Sequence, residues 1–286
     1  MYRKVFLTGG TGFVGTEVLK ELVKNKYKVK VLTHSQKHKV SSKAVEIVNG
    51  SVTDIDSLAN SVKGCDAIIN LVGIIREVPW KGVTFQKLHV EATRNMIKVA
   101  KENKVRRLIH MSANGAKPHG TKYQTTKYRA EQLIKNSGLE YTIFRPSIIF
   151  GEHDNFINKL SRQMRFGIAP YIGNGNYHLQ PVSVRAVAKA FAKSINNKKA
   201  FNKIYHLGGP DVCTYKELLG MVANAINKKI IEIPVPVWFV RVCAVLFGWM
   251  PQFPITNDQI TMLLEDNVCD SSEATQDLKI KPIGFR

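Results

Sequence analysis

The segment Thr8-Gly9-Gly10-Thr11-Gly12-Phe13-Val14-Gly15 separates an apolar run, Val5-Phe6-Leu7, from Val18, Leu19, Leu22 and Val23, which recur at helical spacing. A strand that enters a helix through a turn this poor in side chains commits the chain to a βαβ start. It also leaves bare backbone N–H groups at the positive end of the helix dipole, where a pyrophosphate can lie. Gly9, Gly12 and Gly15 set a G-x-x-G-x-x-G spacing, and Gly9, Thr11, Gly12, Phe13 and Val14 are the predicted phosphate-side contacts.

The pattern that follows repeats this unit. Apolar strands are expected at 3–8, 28–33, 45–48, 66–72, 106–112 and 140–146, alternating with amphipathic helices near 13–25, 54–62, 84–102 and 121–136. That rhythm predicts an α/β chain with a Rossmann-type, doubly wound parallel sheet over residues 1–150. After Gly151 the rhythm changes, and residues 151–286 read as a smaller α/β substrate lobe, from which about 181–208 return to the main sheet. Thr214 with Glu217, and Thr256 with Gln259, have the spacing of capping boxes that start helices.

Nothing before the first strand resembles a signal peptide, so the expected location is the cytoplasm. Cys65, Cys213, Cys243 and Cys269 lie far apart with no C-x-x-C pair, so neither a disulfide framework nor a metal site is indicated. The 42 basic and 22 acidic residues give a net charge of +20. Much of the excess falls at helix ends and strand starts: Lys24, Lys26 and Lys28, then Lys101, Lys104, Arg106 and Arg107. Lysines there complement helix dipoles, or together they form a basic face for an anionic membrane surface or an acidic protein complex. No aromatic-interleaved basic motif accompanies them, which argues against nucleic acid as a partner.

One stretch, Val237 to Met250, carries a single charge, Arg241, between flanking prolines. A helix of about 13 residues rises about 20 Å and falls short of a hydrocarbon layer of about 30 Å. It reads either as an internal packing helix or as an element that faces lipid or a partner. In the second case the protein is peripheral to a membrane.

The residues that carry chemistry follow the fourth and fifth strands. Tyr123 and Lys127 stand four apart on a predicted helix, one turn apart on one face. A nearby ammonium lowers a phenol's pKa so that it exchanges a proton with a carbonyl or alcohol, and the same lysine can hold a ribose. Ser112 ends the strand Leu108-Ile109-His110-Met111, at the carboxyl edge where such sheets bind ligands, and is expected to orient the substrate oxygen. Leu71, Val72 and Gly73 end the fourth strand beside the nicotinamide side, and Pro146 and Ile148 close over it after the sixth. Past the second strand the chain reads Thr33-His34-Ser35-Gln36-Lys37 without a carboxylate. An NAD site usually places an acid there for the ribose hydroxyls; His34, Ser35 and Lys37 suit a 2′-phosphate instead, so NADP(H) is expected over NAD(H).

Taken together, the glycine turn, Asn70-Leu71-Val72-Gly73, Met111-Ser112-Ala113-Asn114-Gly115-Ala116, Tyr123 with Lys127, and Arg145-Pro146-Ser147-Ile148-Ile149-Phe150-Gly151 resemble the short-chain dehydrogenase/reductase superfamily in its extended or atypical branches. Gln180-Pro181-Val182, Leu207-Gly208-Gly209-Pro210, Thr214-Tyr215-Lys216-Glu217-Leu218 and Leu264-Glu265-Asp266-Asn267 are similar to the group containing the NADPH-binding accessory subunit of respiratory complex I. The resemblance implies a nicotinamide nucleotide, with Ser51 and Val52 at its adenine end; Ser51 departs from the family's aspartate there. It leaves two readings open: hydride transfer to or from a small carbonyl, alcohol or quinone-like substrate, or a non-catalytic structural or assembly factor of a membrane-associated redox complex.

Overall fold

The chain is described here from a computed structural model that covers residues 1–34, 42–250 and 253–285. It divides into two compact units: unit 1 is Met1–Pro146, Val184–Leu207 and Asp270–Lys281, and unit 2 is Ser147–Ser183, Gly208–Cys269 and Pro282–Arg286.

The chain begins with β1 (Lys4–Thr8), α1 (Phe13–Lys24), β2 (Lys28–Thr33), β3 (Val45–Asn49), α2 (Ile55–Val62) and β4 (Ala67–Asn70). A π-helical turn, Gln86–Glu91, then leads into α3 (Ala92–Glu102), β5 (Arg107–Met111), α4 (Lys122–Lys135) and β6 (Glu140–Pro146). The next stretch supplies β7 (Ile149–Phe150), α5 (Ile157–Met164), β8 (Ile168–Ile172), β9 (His178–Leu179) and β10 (Val182–Ser183) to unit 2. α6 (Val184–Ser194) and β11 (Lys203–Leu207) belong to unit 1 again. Unit 2 gains β12 (Cys213–Thr214), α7 (Tyr215–Ala225), β13 (Ile231–Val235), α8 (Val237–Phe247) and α9 (Asn257–Leu264), and α10 (Ser272–Leu278) ends in unit 1.

In unit 1 the seven strands lie parallel in the order β11-β6-β5-β4-β1-β2-β3. The order reverses between β1 and β4, the switch point at whose carboxyl edge such sheets bind ligands. Continuous apolar strands such as Phe6, Ile68 and Leu108 are buried on both faces, as a parallel sheet demands, and pack with Leu58, Val62, Met96 and Val99 from α2 and α3. Helix starts follow local chemistry. The Asp54 carboxylate accepts from the N–H groups of Asp56 and Ser57 at the head of α2, and Thr121 forms a capping box with Gln124 at the head of α4. The boxes expected at Thr214 and Thr256 start α7 and α9.

Unit 2 has its own core, with Leu160, Met164, Tyr171, Tyr177, Leu218 and Leu219 at its centre, and three two-stranded ribbons, β7 with β10, β9 with β12 and β8 with β13.

Three expectations change. Asp270–Lys281, read from sequence as part of the C-terminal lobe, belongs to unit 1: Tyr205 donates to Asp277 Oδ2 at 2.8 Å and Lys203 pairs with Glu273 at 2.6 Å. Arg107 is no member of a basic surface, because its guanidinium is fully buried. It donates to Glu140 O, Thr142 Oγ1, Ser194 O and Ile195 O and lies 4.3 Å from the centre of the Phe201 ring. Finally, α8 is not an internal packing helix. Only Ala244 of its residues is buried, and the helix leans on α9, where Arg241 donates to Thr261 Oγ1 at 3.3 Å. Among the described residues no helix is long and apolar enough to cross a membrane.

Candidate functional site

The β1–α1 turn is closed by backbone contacts. Gly9 has a φ of 71°, and a Cβ there would meet the Leu71 carbonyl carbon at 2.9 Å. A Cβ at Gly15 would sit 2.0 Å from Gly9 O, so no larger residue lets α1 approach the turn this closely. Gly12 N–H donates to Gly9 O at 3.0 Å, while Gly12, as the N-cap of α1, offers no side chain to the helix's first N–H groups. Thr11 and Gly12 are exposed, Phe13 is half-buried and Val14 is buried beneath them. An exposed, side-chain-free helix start packed on the end of β4 fits a dinucleotide's pyrophosphate.

Of the residues expected on the adenine side, those described lie at or after the ends of β2 and β3. Thr33 is buried and His34 exposed; Ser35 and Lys37 lie outside the described residues. Ser51 is turned in on its own loop, with its Oγ 2.7 Å from Thr53 Oγ1 and its N–H donating to Ser57 Oγ. Val52 is buried and its carbonyl accepts from Asn95 Nδ2 at 3.1 Å.

Further along the sheet, β4 and β5 place Asn70 opposite His110 in register. Asn70 Oδ1 accepts from Thr8 Oγ1 at 2.8 Å and from Val72 N at 3.2 Å, which leaves its amide nitrogen to donate to His110 Nδ1. His110 therefore carries its proton on Nε2, and that buried N–H has no hydrogen-bond partner among the described residues. Burial, with the Lys127 charge second, pushes the His110 pKa down to about 3. His89, from the π-helical turn, accepts the Ile74 N–H on Nε2 at 3.2 Å. Its Nδ1–H goes to Thr126 Oγ1 at 2.9 Å, whose own proton goes to Lys122 O. Burial first, then the Lys127 charge, lowers its pKa to about 2, so both imidazoles are neutral.

Lys127 is buried in the middle of this group. Its ammonium donates to Met111 O at 3.1 Å, and a methyl at Gly73 would come within 2.9 Å of it, so the bare backbone after β4 is what gives the lysine room. Desolvation drags its pKa down to about 8 against a smaller opposing pull from Glu131. Tyr123 packs edge-on to the rings of Phe85, at 5.7 Å, and His89, at 5.5 Å. Burial around its hydroxyl pushes the phenol up to about 12, the reverse of the lowering expected from a nearby lysine.

Ser112 departs furthest from its expected part. It is buried at the end of β5, and its hydroxyl donates to Glu131 Oε1 at 2.5 Å. Glu131, fully buried on α4, is in turn gripped by Arg145 through Nε at 2.8 Å and Nη2 at 2.5 Å. The serine proton is thus committed to a carboxylate, and the hydroxyl keeps only acceptor capacity toward anything else. Pro146 ends β6 buried, its carbonyl accepting from Asn114 N at 2.9 Å. Ile148 belongs to unit 2, where it packs on that unit's core.

Sequence reading missed His89, His110 and Glu131. Only Glu131 carries a local signal, sharing a helix face with Lys127 four residues earlier. Both histidines come within electrostatic reach of Lys127 because β4 and β5 are neighbours and a π turn precedes α3. Unit 2 has a separate cavity of about 550 Å³, lined by Gly173, Asn174, Asn176, Tyr177, Val237, Leu264 and Asp266.

Comparison with known proteins bears on the family and the fold. A family model described as NAD(P)H-binding matches residues 9–198. The mitochondrial NADH-ubiquinone oxidoreductase 40 kDa subunit of Neurospora crassa is 26% identical over 284 residues, covering 96% of this chain and 74% of that one. UDP-glucose 4-epimerase of Vibrio cholerae is 28% identical over 87% of this chain and 83% of its own. The crystal structure of UDP-glucose 4-epimerase from Thermotoga maritima superposes with a TM-score of 0.75 at 17% identity, over 98% of this chain and 93% of that one, a likeness of fold. The glycine turn, the seven-stranded sheet and these matches place the chain in the NAD(P)H-binding family, within the extended and atypical branches of the short-chain dehydrogenase/reductase superfamily.

Proposed function

We propose that the chain binds NADP(H) and transfers hydride between it and a small carbonyl, alcohol or quinone-like substrate. The observation that carries the reading is the uncapped start of α1, pressed by Gly9 and Gly15 onto the end of β4, with Lys127 and Tyr123 at the neighbouring edge of the same sheet. In that frame Gly9, Thr11, Gly12, Phe13 and Val14 receive the pyrophosphate, Ser51 and Val52 flank the adenine, and Leu71, Val72, Gly73 and Pro146 border the nicotinamide. The lack of a carboxylate in Thr33-His34-Ser35-Gln36-Lys37 supports the 2′-phosphate.

The bound nicotinamide supplies or accepts the hydride. Tyr123, with a phenol near 12, is protonated at neutral pH and acts as the acid toward a carbonyl oxygen. Lys127, with its ammonium held by Met111 O, positions the ribose. Ser112 serves as a positioning residue that fixes Glu131, and so α4, against β5 and β6.

One observation favours a second reading. The commitment of Ser112 to Glu131 removes a donor from the substrate oxygen, which suits a subunit that holds NADPH without turnover, as a structural or assembly factor of a membrane-associated redox complex. Purified protein separates the two. Nucleotide retained through purification is identified by mass spectrometry, and its oxidation is followed with carbonyls and quinones. Oxidation that depends on an added acceptor supports the enzyme, whereas tight retention with no oxidation by any of them supports the structural reading.

A further inference from the structure

Of the sixteen large apolar side chains that lie exposed among the described residues, thirteen belong to unit 2. Six of these, Trp238, Phe239, Val242, Val245, Leu246 and Trp249, follow one another at i, i+1, i+4, i+7, i+8 and i+11 and so form one stripe on α8 and the turn after it. Trp238 is 67% exposed, Val245 69% and Trp249 68%, values normal for charged surface residues rather than for a helix with a mean hydropathy this high. No titratable side chain interrupts the stripe: Arg241, the only charge on α8, is half-buried and donates to Thr261 on α9. A contiguous apolar surface of this kind marks a docking face.

Three properties select its occupant. The stripe from Trp238 to Trp249 is about 16 Å long at 1.5 Å per residue, about half the hydrocarbon thickness, so it can lie in the plane of a bilayer surface but cannot cross. Tryptophans stand at both of its ends, the residue type that collects at the boundary between headgroups and acyl chains, and the Trp249 indole N–H is already satisfied by Leu246 O at 2.9 Å. The charge distribution does the rest. Unit 2 carries eight basic and eight acidic residues, so the whole +20 excess resides in unit 1. Two copies brought together on this face would bring together two chains of +20, whereas an anionic bilayer is electrostatically complementary to the chain as a whole.

We propose that α8 seats the protein on an anionic membrane surface by laying this stripe into the headgroup boundary, as an in-plane anchor independent of nucleotide binding.

The test is flotation of the full chain with phosphatidylcholine vesicles, with and without phosphatidylglycerol, at low and high salt. A Trp238→Ser, Leu246→Gln double variant is run beside it, and Trp238→Ser alone replaces the pair if the pair melts early. Folding is checked by thermal melting and nucleotide binding. The expected result is flotation with phosphatidylglycerol vesicles that weakens with salt, at least a tenfold loss of partition in the variant, and quenching of tryptophan emission by brominated acyl chains in the native chain. Absence of flotation at low salt overturns the proposal, as does equal flotation of native chain and variant. Stripe-dependent self-association or protein capture without vesicle binding also overturns it and assigns the face to that partner.

Discussion

The buried Ser112 hydroxyl donates to Oε1 of the buried Glu131, nineteen residues on in sequence, at 2.5 Å, and Arg145 grips both oxygens of the same carboxylate. This ties the end of β5 to the middle of α4 and to β6. Ser112→Ala should therefore cost about 2 kcal/mol of stability in urea unfolding, the usual worth of a hydrogen bond to a charged group. Glu131→Ala should cost about 3–5 kcal/mol, because it strands the Arg145 guanidinium. A Ser112→Ala protein that loses turnover at unchanged stability would return the hydroxyl to the substrate.

Tyr123 tests the proposed chemistry. Tyr123→Phe should lower any acceptor-dependent oxidation of NADPH by about a hundredfold or more, as expected for loss of a general acid. Nucleotide affinity should stay within about twofold. Stopped-flow oxidation and calorimetry on the same samples read both effects.

Lys127 gives a pH dependence of defined sign. Its pKa falls from 10.5 to about 8 on folding, so between about pH 8 and 10.5 the unfolded chain binds the extra proton and stability rises with pH. The gain is on the order of 3 kcal/mol at most. Above about pH 10 the raised phenols of Tyr2, Tyr123 and Tyr215, each near 12, reverse it, because the unfolded chain then loses protons first. Lys127→Met should stabilise the protein at pH 7 and flatten the rise, with urea midpoints from pH 7 to 10 as the measurement, while weakening nucleotide binding.

His89 and His110 set the acid side. Their folded pKa values, about 2 and about 3, lie below 6.5, so stability is lost as pH falls below about 6.5, where only the unfolded chain takes up the protons. His110→Asn should reduce the slope of stability against pH between about 6 and 4, where that proton is bound only by the unfolded chain.

Nucleotide choice is measured by calorimetry with both cofactors. NADPH should bind at least about tenfold tighter than NADH, a difference of about 1.4 kcal/mol. Lys37→Ala should narrow the gap. Gly15→Ala, which drives a methyl to 2.0 Å from Gly9 O, should abolish binding of either nucleotide and cost about 3 kcal/mol of stability.

The sheet was legible because its strands are short apolar runs separated by amphipathic helices, and parallel strands buried on both faces read that way whatever their neighbours. The expected strand 140–146 is β6, and the expected strand 28–33 is β2, residue for residue. The glycine turn was legible because backbone approach leaves a mark in sequence: where a Cβ does not fit, glycine stands. The surroundings of the chemistry were not. Tyr123 and Lys127 announce themselves by spacing, but their pKa values follow from desolvation by Phe85, His89 and the Gly73 backbone, none of which is near in sequence. Ser112 stands at the strand end as the sequence suggests, but the buried carboxylate nineteen residues on that accepts its hydroxyl proton has no mark in the sequence around the serine. α8 was ambiguous because an apolar composition states that water is avoided and not what replaces it.

The π-helical turn at Gln86–Glu91 has a consequence of its own. Such a turn is an α-helix with one residue to spare, and its wider hydrogen-bond ring is the weaker one. Deleting a single residue from it would let α3 run on as ordinary α-helix, a local gain for the backbone. Everything upstream would then turn by about 100° about the helix axis. The imidazole of His89 would swing off Thr126 and the Ile74 amide, and the aromatic wall against Tyr123 would open. The surplus residue thus works as a key cut into the helix: it sets the rotation at which His89 meets α4, and a shortened chain with an otherwise sound sheet would be mis-keyed at this one place.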